Sequence, residues 1–357
     1  MHESNSGGYL MEQKLMDRES GRVYTIDILR TIGLLCVILA HVFPPYYLRI
    51  IRSFDVPLMV FVMCWSFLLS NKNESYHCYV IKRFKRLVVS CWIFLLIYYS
   101  AFVLFSFVFG THFTYTLKDI IITMFTFEKF GGTWVIRVYF IIALVLPLAK
   151  YLSFRIKNRS QELIFWIFLG IIYMIYYLVF LLLNKSDSNI FRFITITLGI
   201  ESIGWIICTF AFSRIICNKK KIVYYYLISL IIFFICGVHY NWSNIDMYKY
   251  PPRLYYISYG LVISLLLVLI SNIKIKETDI SKIICEKFKC IQWLSKNSLW
   301  IYYWHMLYLS LFKFLLEKIG ILNKWFILYT IVLMFSIITT IIVNFMKSML
   351  KTRFKFI

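Results

Sequence analysis

Two polar side chains stand in an apolar stretch where neither is needed for packing. In YTIDILRTIGLLCVILAH, residues 24–41, Arg30 and His41 are 11 residues apart. At 100° per residue that separation is three turns plus about 20°, so a helix would present both on one face, about 16 Å apart along its axis. They are too distant to grip one small group, but they would line one path. Asp27 lies at i, i+3 from Arg30, where an ion pair forms readily. A plainer account reads Asp27–Arg30 as an interfacial ion pair and His41 as a helix end before Pro44-Pro45. The residues of this helix alone do not choose between the two.

Four further positions carry chemistry. Lys82-Arg83-Phe84-Lys85-Arg86 places Arg83 and Arg86 at i, i+3, a spacing that suits a phosphate; it is also how a cytoplasmic flank of a membrane helix reads. His305, in SLWIYYWHMLY, falls about 12 Å from the inner end of a helix begun at 298, near mid-bilayer. It suits proton handling or a neutral interhelical hydrogen bond. Glu201 sits inside an apolar block and requires a partner or a proton. Arg137 follows Trp134 near the outer end of its block, where it contacts an acceptor, pairs with Glu201 or snorkels. Inside a bilayer each such residue costs about 2.5–3.5 kcal/mol on insertion scales.

The elements that hold these residues are apolar helices. Of 357 residues, 61% are hydrophobic and 16% charged, against about 45–50% and 25% in a soluble chain. The excess falls in blocks near the length that crosses about 30 Å of hydrocarbon. Ten spans are predicted, at about 25–44, 53–71, 87–110, 132–149, 162–183, 193–213, 222–239, 254–273, 298–316 and 325–346. Of the 39 Lys and Arg, 26 fall in alternate segments, beginning with the N-terminal tail. The positive-inside rule then puts both termini in the cytoplasm. The expected organisation is an all-α polytopic membrane protein, with tails at 1–24 and 348–357 flanking one transmembrane domain, 25–347.

Composition also excludes. The net charge of +22 is spread over loop flanks and carries no nucleic-acid motif. Nine cysteines form no CxxC and no Cys/His metal spacing, so no metal site or disulfide framework is expected. The first 24 residues lack the pattern of a cleaved signal peptide, so the first apolar block is retained. The inner segment 274–296 is mixed in charge and suits a short amphipathic helix.

Taken in order, these motifs resemble the acyltransferase-3 family of bacterial membrane proteins, which O-acylate surface polysaccharides and related glycans. YTIDILRTIGLLCVILAH is similar to that family's opening signature, an Arg, ten residues, then a His, with an Asp three residues before the Arg. FDVPLMVFVMCWSFLL, residues 54–69, is similar to its second helix, Arg83-Phe-Lys-Arg86 to its Arg-x-x-Arg element, and NSLWIYYWHMLYL, residues 297–309, to a late helix carrying a His. The usual Ser-Gly of the second helix is replaced by Trp65-Ser66. Where some members carry a Glu five residues after a Trp, Trp134 is followed by Tyr139. The resemblance implies transfer of an acyl group, acetyl above all, from cytoplasmic acyl-CoA to a glycan hydroxyl across the bacterial plasma membrane. It implies acyl-CoA as co-substrate and no tightly bound cofactor. Arg83 and Arg86 would hold CoA phosphates, and Arg30 would sit deeper on the donor path. His41 would be the general base for the acceptor hydroxyl or a transient acyl carrier, Arg30 and His305 would join it in the catalytic set, and Arg137 and Glu201 would line the substrate site. A transporter or flippase for a glycan precursor or small solute would use polar intramembrane residues too, as would an accessory subunit. The sequence leaves oligomeric state open, a homo-oligomer included.

Overall fold

The computed structural model describes residues 23–70, 74–110, 115–127, 132–183, 199–275, 278–319 and 325–353. The chain enters on α1 (Tyr24–His41), which ends where Phe43 turns left-handed ahead of Pro44-Pro45. Proline cannot extend a helix, and it restricts the residue before it. α2 (Tyr46–Ile51) begins directly after Pro45, and a 3-10 turn at Arg52–Phe54 leads into α3 (Asp55–Leu68). α4 (Tyr76–Phe84) passes through a π turn at Lys85–Val89 into α5 (Ser90–Phe109). Then follow α6 (Leu117–Thr126), α7 (Trp134–Arg155), α8 (Arg159–Leu183), α9 (Glu201–Cys217), α10 (Ile222–His239) and α11 (Leu254–Ser271). A two-residue antiparallel pair, Lys274–Ile275 with Thr278–Asp279, precedes α12 (Ile280–Lys287). α13 (Lys289–Ile319) and α14 (Trp325–Arg353) complete the bundle.

The ten expected blocks are all helical among the described residues, and eight are long and apolar enough to cross a membrane. The other two blocks lie in α9 and α13. α9 has 17 described residues, and the first part of its block, 193–198, lies outside the described residues. α13 runs from Lys289, earlier than the expected 298, and is rich in Trp, Tyr and polar residues. Its segment Ile301–Leu307 is buried all round, so protein rather than lipid surrounds it and its composition need not suit hydrocarbon. α8, α10 and α14 behave oppositely, with rows of exposed Ile, Leu and Phe, as lipid-facing helices should. The expected amphipathic inner helix is α12, whose Ser281 and Cys285 are buried against the start of α1. α14 continues past 347 to Arg353. Residues 1–22 and 354–357 of the expected tails lie outside the described residues.

Packing divides into two main clusters. One gathers α3, α9 and α11 with Ile26 and Leu29 of α1; the other gathers α5 and α13 with Leu34, Val37 and Ile38 of α1. α7 is split likewise, Val138, Ile142 and Leu146 facing the first cluster and Val135 and Ile136 the second. α1 and α7 therefore form the seam of the molecule. Close approach within the first cluster depends on Gly260 of α11, where an added Cβ would lie 2.3 Å from the Pro57 ring of α3.

Candidate active site

A cavity of about 280 Å³ occupies the seam. This is close to the lower bound of small-molecule sites. Arg83 and Arg86 line one part of it, Arg30 and Ser66 another, and Val37, Tyr139 and Tyr302 a third. Sequence spacing brought Arg83 and Arg86 to one helix face. The structure sets them across the start of the π turn, whose wide register is a recurrent feature of functional helices. The turn is pinned from α13, since Tyr303 donates its hydroxyl proton to the Leu87 carbonyl at 3.1 Å. The Arg83 guanidinium covers the Tyr79 ring at 5.0 Å, and the Tyr79 hydroxyl donates to the Ala143 carbonyl of α7 at 2.9 Å.

Arg30 is held by two hydroxyls. One Nη donates to Ser66 Oγ at 2.7 Å and the other to Ser295 Oγ at 3.4 Å, while Ser295 donates to Asp27 Oδ1 at 2.6 Å. Ser295 of α13 therefore links the expected Asp27–Arg30 couple, and Ser66, which stands where the resembling family has its Ser-Gly, aims the guanidinium into the cavity. Placing Arg30 this way takes three helices, α1, α3 and α13.

His41 and His305, expected at different depths, meet. His305 Nε2 lies 3.4 Å from His41 Nδ1, with ring centroids 5.2 Å apart. The reason is the length of α13. His305 is sixteen residues from its first residue, Lys289, so it stands about 24 Å along the helix. His41 Nδ1 also lies 2.9 Å from the Val37 carbonyl. A carbonyl only accepts, so Nδ1 carries the proton and His41 Nε2 keeps its lone pair. The neutral side chain thus presents Nε2 as base or nucleophile, with its opposite edge fixed by Val37 and His305. Val37 lines the cavity, and Tyr302, another lining residue, has its ring 4.9 Å from that of His305. Tyr302 in turn donates to the Gly132 carbonyl at 2.5 Å. The cavity therefore reaches from Arg83 and Arg86 to residues that touch the histidine pair. His41 does not line it, so the path along α1 stops one turn short of the imidazole.

Arg137 and Glu201 meet as well, with Nη2 to Oε2 at 3.3 Å, and Arg137 also donates to the Thr126 carbonyl at 3.2 Å. Of the three roles the sequence allows Arg137, ion pairing with Glu201 is the one adopted. Both are buried, and the pair ties α7 to α9.

A second polar network escaped the sequence reading. Arg52 pairs with Asp55 at 2.8 Å and with Asp246 at 3.5 Å, Ser53 donates to Asp246 at 2.7 Å, and Lys249 stands 3.7 Å from Asp55. Arg52 and Lys249 read as loop cations, and the sequence gives no sign that segment 240–253 folds over α3. The one available signal was the i, i+3 spacing of Arg52 and Asp55. Among the described residues no group of three or more His, Cys, Asp or Glu is arranged to hold a metal.

Apolar helices enclosing buried polar groups and an arginine-lined cavity define a multi-pass membrane protein with an internal site. A family model described as an acyltransferase domain matches residues 23–345, nearly the whole chain, and the chain belongs to this acyltransferase-3 family. No curated protein and no solved structure matches it significantly.

Proposed function

We propose that the protein transfers an acyl group, acetyl in the first instance, from cytoplasmic acyl-CoA to a hydroxyl of a cell-surface polysaccharide or related glycan at the bacterial plasma membrane. In this reading the chain makes ten passes with both ends inside. The observation that carries it is the continuity of one cavity from Arg83 and Arg86 to Val37 and Tyr302, which touch His41 and His305. Arg83 and Arg86 hold the phosphates of CoA by charge-assisted hydrogen bonds. Arg30, braced by Ser66 and Ser295, steadies the polar part of the acyl arm farther in. The cavity suits a slender chain rather than a nucleotide, so the adenosine end stays at the arginine mouth.

The chemistry follows from the tautomer. His41 Nε2 takes the proton of the acceptor hydroxyl as its oxygen attacks the thioester carbonyl carbon. The carbon–sulfur bond breaks, and the CoA thiolate leaves and recovers the proton from the imidazolium. In the covalent variant Nε2 itself attacks the carbonyl and the thiolate leaves; the acceptor hydroxyl oxygen then displaces the imidazole, its proton passing to the CoA thiolate. In both, positive charge grows on His41 while Nδ1–H points at Val37 and His305, which favours it.

Vesicles separate this from solute transport. Purified protein is reconstituted with labelled acetyl-CoA on one side and glycan on the other. Release of free CoA on the side of Arg83 and Arg86, with label on glycan across the membrane, is the expected result. CoA-independent uptake of a sugar without acylation would refute it.

A further inference from the structure

We propose that Lys249, with the rings of Trp134, Tyr250 and Tyr256, forms the acceptor subsite, and that it takes a sugar bearing an oxyanion substituent, carboxylate or phosphate. This rests on the acyl-transfer reading for the word acceptor, and on geometry for the rest.

Lys249 lies in the segment joining α10 to α11, just after a 3-10 turn at Ile245–Tyr248. It is about nine-tenths buried, yet its ammonium makes no hydrogen bond among the described residues. Its carboxylate neighbour is already engaged. Asp55 Oδ2 accepts from Arg52 at 2.8 Å and Oδ1 from the Val56 amide at 2.7 Å, which leaves Lys249 at 3.7 Å from Oδ1. Its other neighbours are aromatic faces, Tyr250 at 5.5 Å, Trp134 at 5.7 Å and Tyr256 at 6.0 Å. An ammonium placed this way has three protons to offer, and its ion-pair partner, Asp55 Oδ1 at 3.7 Å, lies beyond hydrogen-bond reach. The local balance is also positive. Arg49, Arg52 and Lys249 face two carboxylates, Asp55 and Asp246.

The site is reachable and well placed. Tyr250 is half exposed and Trp134 partly so, while Tyr256 is buried behind them. A sugar ring can lie on the outer two rings with an anionic arm directed inward to Lys249, where a charge-assisted bond replaces lost water. Trp134 follows two residues after Gly132, whose carbonyl accepts from Tyr302 beside His305, so a sugar lying on the Trp134 ring is on the side of the histidine pair. A neutral sugar offers the ammonium only hydroxyl oxygens, weaker acceptors than an oxyanion, so the subsite favours an anionic sugar.

The test is equilibrium binding of three trisaccharides to the full chain in nanodiscs. The probes are trigalacturonic acid, 6-phosphorylated maltotriose and neutral maltotriose. The wild type should bind at least one anionic probe about tenfold or more tighter than maltotriose, as a hydrogen bond to a charged group implies. The tighter of the two anions identifies carboxylate or phosphate. Lys249→Met should erase the preference and Lys249→Arg should keep it. Should Lys249→Met fail to fold, Tyr250→Ala, at the exposed lip, should weaken all three sugars severalfold. Equal binding of charged and neutral sugars, binding of none, a preference surviving in Lys249→Met, or no weakening in Tyr250→Ala would each overturn the proposal. CoA release from acetyl-CoA is read in the same nanodiscs. Charge preference without CoA release would defeat the acyl-transfer reading and leave the subsite standing.

Discussion

Replacing His305 by Phe tests how the histidine pair works. The substitution keeps a ring of similar size in a fully buried position, so packing changes little. It removes the nitrogen 3.4 Å from His41 Nδ1 but leaves the Val37 carbonyl at 2.9 Å. The shorter contact sets the tautomer, so His41 should remain a competent base. What is lost is a long hydrogen bond to an imidazole that becomes charged during reaction. Hydrogen bonds to charged groups contribute about 1.5–3 kcal/mol, and the 3.4 Å separation places this one at the low end. About 1.4 kcal/mol corresponds to tenfold in rate, so kcat for acyl transfer should fall roughly tenfold with little change in KM for acyl-CoA. The assay is CoA release with labelled acetyl-CoA in nanodiscs, with the unfolding midpoint as control. A fall of three or more orders of magnitude in folded protein would refute this reasoning and make His305 a reacting group in its own right. No fall at all would show that the contact does nothing for the imidazolium.

Arg83→Ala and Arg86→Ala should each raise KM for acyl-CoA about tenfold with kcat little changed, and the loss should shrink for a pantetheine thioester that lacks the nucleotide phosphates. Arg137→Met should lower stability by about 3–5 kcal/mol by stranding the buried Glu201 carboxylate, read as a lower unfolding midpoint. Arg137→Met with Glu201→Leu should recover most of that loss, and a recovered fold with full transfer activity would assign the pair to scaffold rather than substrate. Gly260→Ala should cost about 1–3 kcal/mol by overpacking against Pro57, measured by the same unfolding midpoint.

Much of this was legible in the sequence, and what was not has a physical reason. Apolar blocks of the right length placed the helices, because hydrocarbon thickness fixes span length. Arg30 stood out as a charge in an apolar helix and Arg83 and Arg86 by their i, i+3 spacing, and the structure puts all three on one cavity. The meeting of His41 with His305 was hidden, since 264 residues separate them and hydropathy begins the late helix at 298 rather than Lys289. α13 also hides its true length because a helix enclosed by protein may be polar, and hydropathy registers lipid contact rather than burial. The Arg52–Asp55–Asp246–Lys249 network was hidden for the converse reason. Its cations sit in connecting segments, where charge is ordinary, and only the fold of segment 240–253 over α3 makes them buried.

In the proposed mechanism His41 Nε2 is the atom that meets acyl donor and acceptor. The most direct measurement is CoA release and glycan labelling by His41→Gln in nanodiscs, beside acetyl-CoA binding to the same preparation. Loss of a general base costs about 10²–10⁴-fold, so transfer should fall by at least two orders of magnitude while acetyl-CoA binding stays within about twofold of wild type. Transfer within tenfold of wild type, by a variant that binds acetyl-CoA normally, would contradict the central claim.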